Sequence, residues 1–238
     1  MQIGQTSTRL RSAHPYDDLA VIDARAPRFN QAAVTLFSVT AVATGWWVLL
    51  GIMALQLMVG LRFGRRYCLA CVLYFEFVQP HVGEGDIEDA RPPRFANIVG
   101  AVFLTAATIA YALGATAVGT GLAMVVAALA ALAVTTGFCT GCEMYKLVAR
   151  FNGIGPGRIE FIDLDSLGAG AAGHSTIQFT HPLCTGCLEL ERRLRAEGRD
   201  PVLVDVSKRP DVARTYHVAV LPAAFTVDQN GRVLERIV

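Results

Sequence analysis

No stretch of this 238-residue chain combines a basic stripe with interleaved aromatics, and its formal net charge is only +1, so the sequence offers nothing for nucleic acid to grip. Neither Gly-rich stretch follows a strand and precedes Gly-Lys-Ser/Thr, so no phosphate loop of that kind is expected. The first thirty residues lack a continuous apolar segment, because Arg9, Arg11, Asp17, Asp18, Asp23, Arg25 and Arg28 interrupt them, so no cleavable signal is expected either. No cysteine stands alone: the six fall into the pairs Cys68/Cys71, Cys139/Cys142 and Cys184/Cys187. What the middle of the chain lacks is charge. Ala32 to Leu61 and Ile98 to Phe138 contain no Asp, Glu, Lys or Arg, and each run exceeds the roughly 20 residues that a helix needs to span hydrocarbon.

Both runs belong to a repeat. "DARAPRF" (Asp23 to Phe29) returns as "DARPPRF" (Asp89 to Phe95), and each copy leads into an apolar region. At the far end stand "YCLACVLY" (Tyr67 to Tyr74) and "FCTGCEMY" (Phe138 to Tyr145), each an aromatic, a Cys-x-x-Cys, two residues and Tyr. The copies are 66 residues apart at the front and 71 at the back, consistent with duplication of one unit and a gain of about a helical turn in the second. "LGATAVGTG" supplies turn residues inside the second run, and by analogy the first turns near Thr44, Gly45, Trp46 and Trp47. Four membrane spans from a duplicated two-helix hairpin are therefore expected, within residues 32–152, with repeat units 23–74 and 89–145.

Arg25, Arg28, Arg62, Arg65, Arg66, Arg91, Arg94, Lys146 and Arg150 would then share one side of the bilayer, while the hairpin tips carry no Lys or Arg. The positive-inside rule places that side in the cytoplasm of a bacterial inner membrane, together with the N-terminal tail (1–31) and everything after Cys142. Parallel repeats imply an axis along the membrane normal, which would bring Cys68, Cys71, Cys139 and Cys142 together. Tyr74 and Tyr145 read as interface anchors. Glu143 stands close enough to Cys142 to shift its pKa, or simply faces solvent.

After "GIGPG" (Gly153 to Gly157) the pattern changes to alternating strands and helices. "STIQFTH" and "PVLVDVS" read as strands, "CLELERRLRAE" and "RPDVARTYH" as helices, and "AAFTVD" with "RVLERIV" as a hairpin around Asn230-Gly231. A strand feeding a Cys-x-x-Cys at a helix start favours the thiolate of Cys184, through unpaired N–H groups and the positive helix end, with Cys187 one turn further in to resolve a mixed disulfide. The duller readings are a metal half-site or a static bridge.

Residues 158–238 resemble a thioredoxin-like domain in three features: the Cys pair after a strand, the entry into the hairpin at Val218 to Pro222, and the turn at Asp228 to Gly231. The resemblance implies an α/β thioredoxin-like fold, with Pro222 as the family's cis-proline beside the active disulfide. Departures are Thr185-Gly186 between the cysteines, Leu183 before them, and Gln178 in place of a buried Asp. His181 is a candidate substitute proton carrier, or else a packing residue. The repeated region, about residues 20–152, resembles an uncharacterised bacterial integral-membrane family found beside or fused to thioredoxins.

For the four membrane-edge cysteines three readings stand open: two redox pairs, four ligands to one Zn²⁺ or Fe–S centre, or inert thiols. The favoured whole is an all-α four-span membrane domain joined to a thioredoxin-like domain. It would act as a thiol–disulfide oxidoreductase without a cofactor, exchanging with its own membrane pairs or with a disulfide-containing protein. The alternative is a membrane protein that handles metal or sulfur, kept reduced by the soluble pair.

Overall fold

A computed structural model describes residues 12–152, 160–167 and 175–237; the expected linker 153–157 and the first eleven residues lie outside them. In chain order the elements are β1 (Val21–Asp23), α1 (Arg25–Thr44), α2 (Val48–Phe63), α3 (Leu69–Leu73), α4 (Gln79–Val82), β2 (Ile87–Asp89), α5 (Arg91–Ala112), α6 (Thr116–Thr136) and α7 (Thr140–Asn152). There follow α8 (Leu164–Leu167), β3 (Ser175–Thr180), α9 (Thr185–Ala196), β4 (Pro201–Asp205), α10 (Pro210–Thr215), β5 (Ala223–Val227) and β6 (Val233–Arg236). The chain is mostly helical and divides into two compact units. One contains Asp86–Asp89 and Lys146–Val238, the other His14–Gly85 and Ala90–Tyr145.

In the helical unit the two sequence copies interleave. Helix α1 packs chiefly on α6, and α2 on α5, so the first helix of each copy lies against the second helix of the other. Small buried residues at these seams, among them Ala41, Ala54, Ala101, Ala107 and Ala123, let the backbones approach, and Leu50, Met53, Leu57 and Leu104 fill the centre. The arginines of the repeated motif follow the same exchange. Arg94 donates to the carbonyl of Leu61 near the end of α2 (3.1 Å), and Arg28 lies against Gly137, which ends α6 in the left-handed region at φ 77°. A side chain at Gly137 would be strained and would meet that guanidinium. Aromatic pairs tie each copy to itself: Phe29 with Tyr74 (5.9 Å between centroids) and Phe95 with Tyr145 (5.6 Å).

The sequence suggests four spans; among the described residues only α5 and α6, of 22 and 21 residues, are long and apolar enough to cross a membrane. The reason lies in length and in where charge falls. Helix α2 has 16 residues, about 24 Å at ~1.5 Å per residue, short of the ~30 Å hydrocarbon layer. Helix α1 has 20, but Arg25, Arg28, Asn30 and Gln31 occupy its first two turns. The uncharged run from Ala32 to Leu61 is thus divided at Gly45 (φ 74°) into two helices that both fall short of a span.

The thioredoxin-like fold suggested for residues 158–238 is not established either. What forms there is a small mixed sheet of order β4-β3-β5-β6, with β3 and β4 parallel and the other pairs antiparallel. Its substantial helix is α9, which makes the crossover between parallel β3 and β4; α10 is held to six residues between Pro210 and the left-handed His217 (φ 47°). Strand β3 alternates. Ile177 and Phe179 join Val204, Phe225 and Val227 in one apolar layer, which also takes in Cys184, Cys187 and Leu221. On the other face, Ala224 packs with Leu190 and Leu194 of α9.

One side chain pins the approach to α1. The guanidinium of Arg65 donates to four backbone carbonyls, those of Pro15 (3.0 Å), Asp18 (3.3 Å), Leu19 (3.1 Å) and Val21 (2.6 Å). A planar fork can serve four acceptors in this way, whereas an ammonium is a compact donor. Arg65→Lys is expected to leave carbonyls without a donor and to lower the stability of the helical unit by roughly 1–3 kcal/mol. Denaturant titration of the purified chain checks this, and an unchanged midpoint would contradict it.

Candidate thiol–disulfide site

All three Cys-x-x-Cys pairs share one local geometry. The backbone N–H of the second cysteine points at the sulfur of the first, at 3.3 Å for Cys71 to Cys68, 3.3 Å for Cys142 to Cys139 and 3.2 Å for Cys187 to Cys184. Cys68 and Cys184 are extended residues that cap the helix following them. A sulfur there takes a hydrogen bond that the first helical turn would otherwise leave unmade, and it sits where the backbone dipoles favour negative charge. The pairs differ in oxidation state: Cys184 and Cys187 form a disulfide, whereas Cys68, Cys71, Cys139 and Cys142 are free thiols.

Around the disulfide, the loop from β3 to α9 is held by its own atoms. Cys184 N–H donates to the carbonyl of His181 (3.0 Å), and Leu183 N–H to His181 Nδ1 (3.2 Å), so this imidazole nitrogen serves as an acceptor that shapes the loop. Gln178, wholly buried, donates through Nε2 to the carbonyl of Cys187 at 2.7 Å. An amide there positions the second cysteine but cannot carry its proton. Pro222 follows Leu221 through a cis peptide bond and lies beside the Cys-x-x-Cys turn, since a Cβ placed on Gly186 would stand 3.7 Å from its Cδ.

Two further contacts at this site involve residues that sequence reasoning did not single out as functional. Thr185 Oγ1 accepts the backbone N–H of Ile87 (2.9 Å), and Asp89 Oδ2 accepts the N–H of Leu221 (3.1 Å). Asp89 was visible as the start of the second motif copy, yet nothing local marked it as a neighbour of residues more than a hundred positions later. Cys184 is 2% exposed and Cys187 0%.

The free pairs are electrostatically uneven. Hydrogen bonds to its sulfur, first from the Cys142 thiol, then from that residue's backbone and from Gln31 Nε2 (3.4 Å), outweigh burial and lower the Cys139 pKa to about 6. The Cys68 thiol is lowered to about 7 in the same manner, by Cys71 and by Gln56 Nε2 (3.4 Å). Its partner Cys71 moves the other way, because its proton is shared with Cys68 and because it is buried. Each pair thus holds one acidified sulfur, the form that attacks a disulfide.

The four free thiols do not gather as the repeat suggests. Among the described residues no three His, Cys, Asp or Glu side chains are placed to hold one metal ion, so the zinc or Fe–S alternative gains no ligand set. Cys139 lines an apolar cavity of about 290 Å³ with Gln31, Asn97, Phe103 and Met144, while Cys68 and Cys71 line another of about 300 Å³ with Asn30 and Arg94. Tyr74 is not an exposed anchor: it is 2% exposed and donates to Asp23 Oδ2 at 3.1 Å.

Over residues 22–150 the chain matches the family described as Domain of unknown function (DUF4395). No curated protein and no solved structure matches it. Alkylation of Cys139 by iodoacetamide is expected to reach half its limiting rate near pH 6, and that of Cys68 near pH 7, against 9.0 for an unperturbed thiol. Gln31→Leu should move the Cys139 midpoint upward. Peptide-resolved mass spectrometry across pH 5–10 reads both, and midpoints near that of free cysteine would contradict the assignment.

Proposed function

The chain belongs to the DUF4395 family, and from its sulfur geometry we propose that it is a membrane-associated thiol–disulfide oxidoreductase working through Cys184 and Cys187. The observation that carries this reading is the Cys184–Cys187 disulfide at the start of α9, with the Cys187 N–H aimed at Cys184 Sγ. In the reduced protein that N–H stabilises a Cys184 thiolate. The thiolate attacks one sulfur of a partner disulfide, forming the Cys184–partner bond and expelling the other partner sulfur as thiolate. Cys187, having lost its proton, then attacks Cys184 Sγ. This closes the observed disulfide and releases a partner that has gained two electrons and, with two protons, two thiols. The reverse sequence oxidises a partner dithiol.

Partners of two kinds suit this chemistry: a separate disulfide-containing protein, or the chain's own pairs Cys68/Cys71 and Cys139/Cys142, each of which carries an acidified thiol. The likeness of Cys184–Cys187, Pro222 and Asp228–Gly231 to the motifs of thioredoxin-like proteins supports the same reaction. Helices α5 and α6 are the membrane-crossing candidates. Arg91 and Arg94 at one end and Lys146 beyond the other favour the cytoplasmic side of a bacterial inner membrane for both ends of that hairpin.

Changing Cys187 to Ser in the full chain removes the resolving thiol. Cells carrying it are expected to accumulate a dithiothreitol-sensitive adduct through Cys184, absent when Cys184 is also Ser. Mass spectrometry then tells a membrane-edge cysteine from a separate protein. Absence of any adduct would refute the oxidoreductase reading.

A further inference from the structure

The short strand β2, Ile87–Asp89, belongs to the same compact unit as Cys184 and Cys187, although Ala90–Tyr145 between them in sequence does not. Its two ends grip the two sides of the disulfide loop. Ile87 N–H donates to the hydroxyl of Thr185, the residue directly after Cys184. Asp89 Oδ2 accepts from the N–H of Leu221, the residue directly before Pro222, which in turn lies beside Gly186. The strand's burial alternates, with Ile87 and Asp89 inside and Glu88 exposed. Both sulfurs of the disulfide are closed to solvent. Exchange requires a nucleophile to reach a sulfur, so a buried disulfide reacts only after something moves aside.

The matching residue of the first copy shows that this contact is particular to the second. Asp23 accepts the Arg25 and Gly85 N–H groups, the Tyr74 hydroxyl and the Gln79 amide, all within the helical unit. Asp89, from the same motif, reaches a backbone amide at the disulfide. Taking the oxidoreductase reading as its basis, we infer that Ile87–Asp89 is the resident occupant of a docking cleft beside Cys184–Cys187. That cleft accepts, from a partner, an extended segment with an apolar residue followed two positions later by an acidic one. The recognition chemistry is threefold: an N–H for the Thr185 hydroxyl, a carboxylate for the Leu221 N–H, and a buried apolar side chain at the position of Ile87. A carboxylate on a buried amide is a charge-assisted bond, stronger than the neutral contact a generic peptide would make. The partner enters by displacing β2, which couples exposure of the disulfide to the arrival of something to exchange with.

The test is the rate at which dithiothreitol reduces Cys184–Cys187 in the full-length oxidised chain, read by alkylation and mass shift. Asp89→Ala, which loses a charge-assisted hydrogen bond, is expected to speed reduction about tenfold, and Thr185→Val, which loses a neutral one, about fivefold. Asp89→Asn, which keeps an acceptor oxygen, is expected to stay within about threefold of the native rate. A synthetic peptide spanning Gly85 to Ala90 should slow reduction of the Asp89→Ala chain again, and the same peptide with Ala in place of its aspartate at position 89 should not. Native rates in Thr185→Val and Asp89→Ala, or a peptide without effect, would overturn the proposal. Should Asp89→Ala fail to fold, the reduction rate of Thr185→Val, at its half-buried position, decides alone. Dithiothreitol reduces any disulfide it can reach, so failure here leaves the trapping result untouched. An empty trap with responsive rates would instead refute the exchange reaction.

Discussion

A backbone amide aimed at a cysteine sulfur three residues earlier is the interaction that all three cysteine pairs of this chain share. It recurs at Cys68, Cys139 and Cys184 with nearly one length. The contact ties a covalent constraint, two intervening residues, to an electrostatic one, the polarity of a helix start. Because each first cysteine precedes a helix, its sulfur, when reduced, sits where negative charge is favoured without any cationic side chain nearby being required. The surroundings then set what differs: an amide donor beside Cys68 and Cys139, and apolar enclosure around the disulfide.

Around those caps several side chains hold chain ends. Arg65 gathers the carbonyls before α1, Arg28 and Arg94 reach the ends of α6 and α2, and Tyr74 closes on Asp23. Arg94 and Arg28 satisfy or abut backbone at a helix C-terminus, and Arg65 satisfies the carbonyls of the turn and strand before α1. The repeated Asp-Ala-Arg-x-Pro-Arg-Phe motif is thus a set of terminus fittings. Its phenylalanine meets the tyrosine at the far end of its own copy, while its second arginine serves the other copy.

The repeat itself was legible in the sequence, because Asp23 to Phe29 and Asp89 to Phe95 are nearly identical strings, and so was the grouping of cysteines into three pairs. Membrane character was legible only coarsely. Hydropathy showed a long uncharged run before Thr44, but the helix there starts at Arg25 and spends its first turns on polar residues. The gathering of the thiols at one metal, inferred from symmetry, did not follow among the described residues: no three ligand side chains meet, and Cys139 lines one cavity while Cys68 and Cys71 line another, with Asn30 and Asn97 bonded to each other among the lining residues (3.1 Å). Gln31 and Gln56 stand within α1 and α2 with no local mark of a role, and their sulfur contacts depend on packing that no local pattern encodes. Asp89 was concealed for the same reason: its partner Leu221 stands 132 positions away.

The interleaving of the copies bears on how such a protein arose. With α1 seated on α6 and α2 on α5, much of each half's apolar face is covered by the other half. A lone half would leave part of that face bare unless a second copy covered it, in the manner of a two-fold dimer whose subunits trade helices. With both halves in one chain the trade is intramolecular and the two need not be identical: Asp23 accepts within the helical unit, whereas Asp89 also accepts from Leu221.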